Sequence, residues 1–112
     1  MAKLRVLECT VFIPMCRDAN LSDGQPHFTE AWEWLEGELY SHFGGLTVAP
    51  GLYAGIYQDP DTGDRVPDKS RKYIIALPAT RIKDLRRLLG MAKSVFQQKC
   101  IYLSVAGQVE FL

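Results

Sequence analysis

"SHFGGLTVAPGLYAGIY", Ser41 to Tyr57, holds four glycines in 17 residues, and whether they cradle a phosphate or end a helix separates two architectures. A dinucleotide-binding turn runs from a strand through G-x-G-x-x-G into a helix, so that backbone N–H groups at the helix start face a pyrophosphate. Here the order is reversed: a helical pattern precedes Gly44-Gly45 and a strand-like stretch follows. No Lys-Ser/Thr follows to make a P-loop. The glycine pair therefore ends a helix. Gly45 is the residue at which a positive φ is expected, and a nucleotide cradle is not.

Upstream, Thr29 is the expected N-cap, with Glu30 and Glu33 near the helix start. At about 100° per residue, Trp32, Leu35, Leu39 and Phe43 fall in one stripe. Before this helix, Leu4 to Pro14 is rich in Val, Ile, Leu and Phe and reads as a mostly buried strand. Met15 to His27, with Asp18, Asn20, Asp23-Gly24 and Pro26, reads as a long surface connection.

Downstream, Leu46 to Tyr57 reads as a second strand, interrupted at Pro50-Gly51. Asp59-Pro60-Asp61-Thr62-Gly63 is hairpin chemistry, and "KYIIALP", Lys72 to Pro78, is a third strand. Thr80 is expected to cap a second helix whose stripe is Ile82, Leu85, Leu89, Ala92 and Phe96. "CIYLSV", Cys100 to Val105, is a fourth strand. After Ala106-Gly107, "QVEFL" is a bulged continuation or a short fifth strand. The order strand, helix, strand, strand, helix, strand is that of a ferredoxin-like α+β sandwich, βαββαβ with an extra C-terminal strand. Right-handed crossovers place strands one and three at the centre of an antiparallel sheet and both helices on one face.

A chain of 112 residues, 47% hydrophobic and 23% charged, suits a single domain over 1–112 with one core. Thirteen basic residues balance thirteen acidic ones, which removes the global electrostatic argument for nucleic acid or an anionic membrane. The N-terminus lacks an apolar run ahead of its charges, and no stretch approaches the roughly 18 apolar residues of a span, so a cytoplasmic protein is expected. Cys9, Cys16 and Cys100 form no C-x-x-C pair and read as buried thiols.

The segments "VFIP", "HFGGLT", "GLY", "YIIAL" and "VFQQKCIYL…VEFL" together resemble a family of small stand-alone bacterial proteins of uncharacterised function, some carried on mobile, integron-type gene cassettes. The resemblance spans nearly the whole chain. It implies a ferredoxin-like fold and supplies no catalytic residue.

Candidate chemistry is sparse. Counting an EF-hand from Asp59 puts Asp64 and Ser70 where glycine and glutamate are needed, so "DPDTGD" reads as a turn. His27 and His42 lack ligand spacing, and no metal or other cofactor is expected. His42, in the last helical turn, suits the helix dipole. Cys16 and His27 are the one nucleophile–base pair that sequence brings near, without specificity. Glu30, Glu33, Glu36 and Glu38 read as a solvated acidic face.

The aromatic residues say more. Tyr53, Tyr57, Tyr73 and Tyr102 lie in strand-like runs, with Phe12 on the first strand. Alternation turns Cys9, Val11 and Ile13 toward the helices and leaves Phe12, Tyr102 and two or more of the other tyrosines on the open face. Trp34, about 200° from Trp32, points away from the core stripe, toward the Met15–Pro26 loop or another subunit. An aromatic open face can stack RNA bases, but "RKYIIALP" lacks the RRM signature and net charge is zero, so RNA is disfavoured. Two functions follow. The first is a non-enzymatic homo-oligomer whose open face forms an interface, with a small apolar ligand pocket. The alternative is a small cofactor-free enzyme acting on a small organic molecule there, with His42, Tyr53 or Tyr102 as acid–base groups.

Overall fold

Strand β1, Val6–Pro14, alternates along its length: Cys9, Val11 and Ile13 are buried while Thr10 and Phe12 are only partly so. This computed structural model describes residues 5–112; Leu4, the expected start of the first strand, and the N-terminal 1–3 lie outside them. The chain continues through α1 (Thr29–Phe43), β2 (Thr47–Val48), β3 (Tyr53–Gln58), β4 (Arg65–Pro78), a 3-10 turn (Ala79–Arg81), α2 (Ile82–Val95), β5 (Tyr102–Val105) and β6 (Gln108–Phe111). The sheet is antiparallel, in the order β2-β4-β1-β5-β6, with β3 also paired to β4. Strands one and three of the sequence reading, here β1 and β4, are central. The fold is a ferredoxin-like two-layer sandwich.

Pro50-Gly51 divides the second expected strand into β2 and β3, with Gly51 at φ 76°. β4 starts at Arg65, seven residues before Lys72, because the whole of β3 needs a partner. "QVEF" is a separate strand joined to β5 by a two-residue turn, Ala106-Gly107, with both residues at positive φ.

The core lies between sheet and helices. Val11 and Ile13 of β1, Ile75 and Leu77 of β4, and Leu103 of β5 meet Leu35 and Leu39 of α1 and Leu85, Leu89 and Ala92 of α2. No helix among the described residues is long and apolar enough to cross a membrane.

Several local expectations are corrected. Neither threonine caps its helix: Thr29 is the first residue of α1 behind an extended Phe28, and Thr80 lies inside the 3-10 turn. Gly44, not Gly45, takes the left-handed conformation, φ 79°, and donates its N–H to Tyr40 O. Cys9 is buried, whereas Cys16 is exposed and Cys100 half-buried. Tyr73 is not on the open face. It stands opposite Val11 in the β1–β4 register and is fully buried, its hydroxyl donating to Glu36 Oε2 at 2.7 Å. Trp34 does not stand clear of the core: it is half-buried and packs against the core cluster.

Candidate functional site

The open face carries a continuous aromatic row. Phe12 meets Tyr53 and Tyr102 edge-on, at centroid distances of 5.6 and 5.0 Å, and Tyr102 meets Phe111 at 5.8 Å. Strand register explains the row, since Phe12 is paired with Tyr102 and Tyr102 with Phe111, and paired residues share a face. Lys72, opposite Phe12 on β4, places its ammonium 5.3 Å from the Tyr53 ring centre.

β3 and the first part of β4 form an arm that runs past the end of β1, whose last pair is Pro14 with Ser70. Between this arm and the Pro14–Ala19 segment lies an open groove of about 710 Å³. Pro14, Met15, Leu52, Ala54 and Ile56 contribute to an apolar lining. Its polar and charged residues are Asp18, Tyr57, Asp68 and Gln98 together with Lys69 and Arg17, the last paired with Asp23.

Register again places them. Tyr57 pairs with Val66 and Gly55 with Asp68, so Tyr57 and Asp68 are diagonal neighbours on one side of the arm. Asp68 Oδ1 occupies the space above Gly55, 3.0 Å from where a Cβ would stand. This carboxylate has no ion pair and no hydrogen bond among the described residues, and burial raises its pKa above the usual 3.8. The Tyr57 hydroxyl makes a long hydrogen bond, 3.4 Å, to Asp18 Oδ2. Burial first, then the Asp18 and Asp68 charges, push the phenol up to about 12. Asp18 is itself held, accepting the Asn20 N–H at 2.7 Å. Apolar walls with a few convergent polar groups are what a small-molecule site requires.

Of the residues singled out in the sequence, Tyr57 lines the groove, and Phe12, Tyr53 and Tyr102 form the row. Trp34 and Tyr73 belong to the helix side. So does His42, an exposed residue of the last turn of α1 whose Nε2 is 3.0 Å from Glu38 Oε2; it does not meet Tyr53 or Tyr102. Cys16 and His27 form no nucleophile–base pair. His27 donates its Nε2–H to Pro14 O at 2.7 Å and packs edge-on against Trp32 and Phe96, while Cys16 lines the groove. Asp59 of "DPDTGD" turns inward to Lys99 and Asn20, and the described residues contain no cluster of three or more side chains suited to a metal.

Asp18 and Asp68 were missed. In sequence Asp18 reads as a turn former, and the signal for Asp68, a carboxylate within a strand and opposite a glycine, needs the β3–β4 register to be seen.

No family model and no curated protein matches the chain. Solved structures do. The fold is similar to that of a phage SAM lyase. The lyase in complex with S-methyl-5'-thioadenosine superposes with a TM-score of 0.70 at 14% identity, covering 100% of this chain and 92% of that one. The apo lyase gives 0.61 at 15% identity, over 98% and 90%. At these identities the likeness to the lyase establishes the fold, and function must be argued from the groove.

Proposed function

We propose that this chain is a small enzyme that binds an adenosyl sulfonium compound in the groove beside the β3–β4 arm. The observation that carries the reading is Asp68, a carboxylate without a partner, set over Gly55 in an apolar groove next to the Tyr57–Asp18 pair. A sulfonium centre has no N–H to donate. It is recognised by charge and close packing, which an unpaired carboxylate in an apolar wall supplies. The Tyr57 hydroxyl and the Asp18 carboxylate suit the hydroxyls of a ribose, and the apolar wall suits a purine. The similar fold of a SAM lyase solved with S-methyl-5'-thioadenosine raises the prior for this ligand class. The reading takes up the alternative offered by the sequence, the cofactor-free enzyme, in place of the non-enzymatic homo-oligomer put first there, moves it from the aromatic row to the adjoining groove, and keeps the expected cytoplasmic location.

Calorimetric titration with S-adenosylmethionine and with S-methyl-5'-thioadenosine tests it, followed by chromatography of the incubated sulfonium for products. Saturable binding of both is expected. Asp68→Asn should weaken the cation tenfold or more and the neutral thioether by less. Absence of binding to either at millimolar ligand would overturn the reading.

A second reading concerns assembly. The row Tyr53–Phe12–Tyr102–Phe111, with Phe111 68% and Tyr53 38% exposed, continues into Val109, also exposed. A contiguous patch of this kind favours a homo-oligomer closed through the open face.

A further inference from the structure

Three separate segments make the polar end of the groove, and each sends a nearby residue into one shared knot. Asp18 belongs to the β1–α1 connection, which also supplies Asn20. Tyr57 of β3 is followed two residues later by Asp59, and Gln98 of the α2–β5 connection by Lys99. Asn20, Asp59 and Lys99 meet: the Asp59 carboxylate accepts Asn20 Nδ2 at 2.8 Å and Lys99 Nζ at 3.0 and 3.1 Å. It also accepts the N–H groups of Asp61 and Thr62, at 2.8 and 3.0 Å, and Lys99 reaches Asp61 Oδ2 at 2.7 Å.

This is not how a surface hairpin turn is built. An aspartate that closes its own turn is ordinarily wet, needing only the two backbone N–H groups. Here its side chain is wholly buried and its lysine partner only 14% exposed. The arm is otherwise weakly attached. Beyond the Pro14–Ser70 pair and the packing of Tyr53 on Phe12 at its base, the other hydrogen bonds joining it to the rest of the chain, among the described residues, are Met15 N–H to Lys69 O and the long Tyr57–Asp18 bond.

We propose that the Asn20–Asp59–Lys99 knot is a latch: it holds the tip of the β3–β4 arm against the two connections and thereby sets the width of the groove and the position of Tyr57. That the groove takes a ligand rests on the function proposed above; that the latch holds the arm does not. Lys99 and Asp59 are then positioning residues, acting through Tyr57 and not on the ligand. Removing the lysine leaves a buried carboxylate without its counter-charge, and the least costly response is for the tip to swing into water and hydrate it. Because the arm carries few other tethers, the release should stay local.

Hydrogen exchange by mass spectrometry and calorimetry with S-methyl-5'-thioadenosine, on the full chain, test both parts. In Lys99→Met, amides of the arm, residues 53–69, should exchange tenfold or more faster while those of α2 and β1 stay within about twofold. Affinity should fall tenfold or more, and Lys99→Arg should restore both. Should Lys99→Met be insoluble, Asn20→Ala removes one anchor and carries the same comparison with smaller effects. An arm as protected as in the wild type, or acceleration spread evenly over the chain, would overturn the latch. A loosened arm with unchanged affinity would overturn its positioning role. If the wild type binds no thioadenosine, the function proposal fails instead, and exchange alone decides the latch.

Discussion

Gly55 and Asp68 face each other across the β3–β4 ladder, and the carboxylate fills the room that the missing Cβ leaves. A methyl group at Gly55 would stand 3.0 Å from Asp68 Oδ1, tighter than such atoms ordinarily rest, so the carboxylate must give way by a few tenths of an ångström. Gly55→Ala should therefore lower affinity for S-adenosylmethionine about tenfold, while stability changes by no more than about 1 kcal/mol, since alanine also suits a strand better than glycine. Titration beside a chemical denaturation curve checks both.

His27 makes stability fall in mild acid. Burial of its ring between Trp32 and Phe96 lowers its pKa from 6.5, and the Arg17 charge adds to this against the opposing pull of the hydrogen bond to Pro14 O. The unfolded chain takes up the proton near 6.5, before the folded one does. The contribution is complete above that pH and is lost as pH drops through it toward the depressed folded value. The urea midpoint should fall between about pH 7.5 and pH 5.5, and His27→Gln should flatten that dependence.

Asp68 has the opposite sign. Its folded pKa lies above the usual 3.8, so ionising it opposes folding, and stability is gained as pH falls through the raised value. At neutral pH, Asp68→Asn should thus raise the denaturation midpoint while weakening the cation. A residue that lowers stability and raises affinity is the pattern of a functional group rather than a packing one.

Much of the architecture is legible in the chain because periodicity and turn chemistry are local. The stripes of α1 and α2, the glycine exit and the break at Pro50-Gly51 follow from residues within a few positions of one another, and the centrality of β1 and β4 follows from the handedness of crossovers once the element order is known. The site is less legible, because it depends on register. Tyr73 and Tyr102 look alike in sequence, yet one stands opposite Val11 and the other opposite Phe12, which puts them on opposite faces. Asp68 becomes notable only once it is seen opposite Gly55, and Asp18 only once Tyr57 reaches it from across β4.

Helix α1 ends on the left-handed backbone of Gly44. Gly44→Ala should cost about 1 kcal/mol for forcing a Cβ into that conformation, whereas Gly45→Ala, without positive φ, should stay within about 0.5 kcal/mol. Paired denaturation curves distinguish the two.

If the aromatic row is an interface between copies, Tyr102→Asp sets a charge at its centre and should give monomer, or insoluble protein if the subunit cannot stand alone. Size exclusion with light scattering, over a range of concentrations, reads this directly. A wild type that remains monomeric throughout would remove the homo-oligomer.

The groove as ligand site is tested most directly by ¹⁵N–¹H correlation spectra of the protein titrated with S-methyl-5'-thioadenosine. Amide shifts should saturate and centre on Asp18, Gly55, Tyr57 and Asp68, with the neighbouring arm following. Shifts that never saturate, or that centre on Phe12 and Tyr102 and leave the groove residues unmoved, would contradict it.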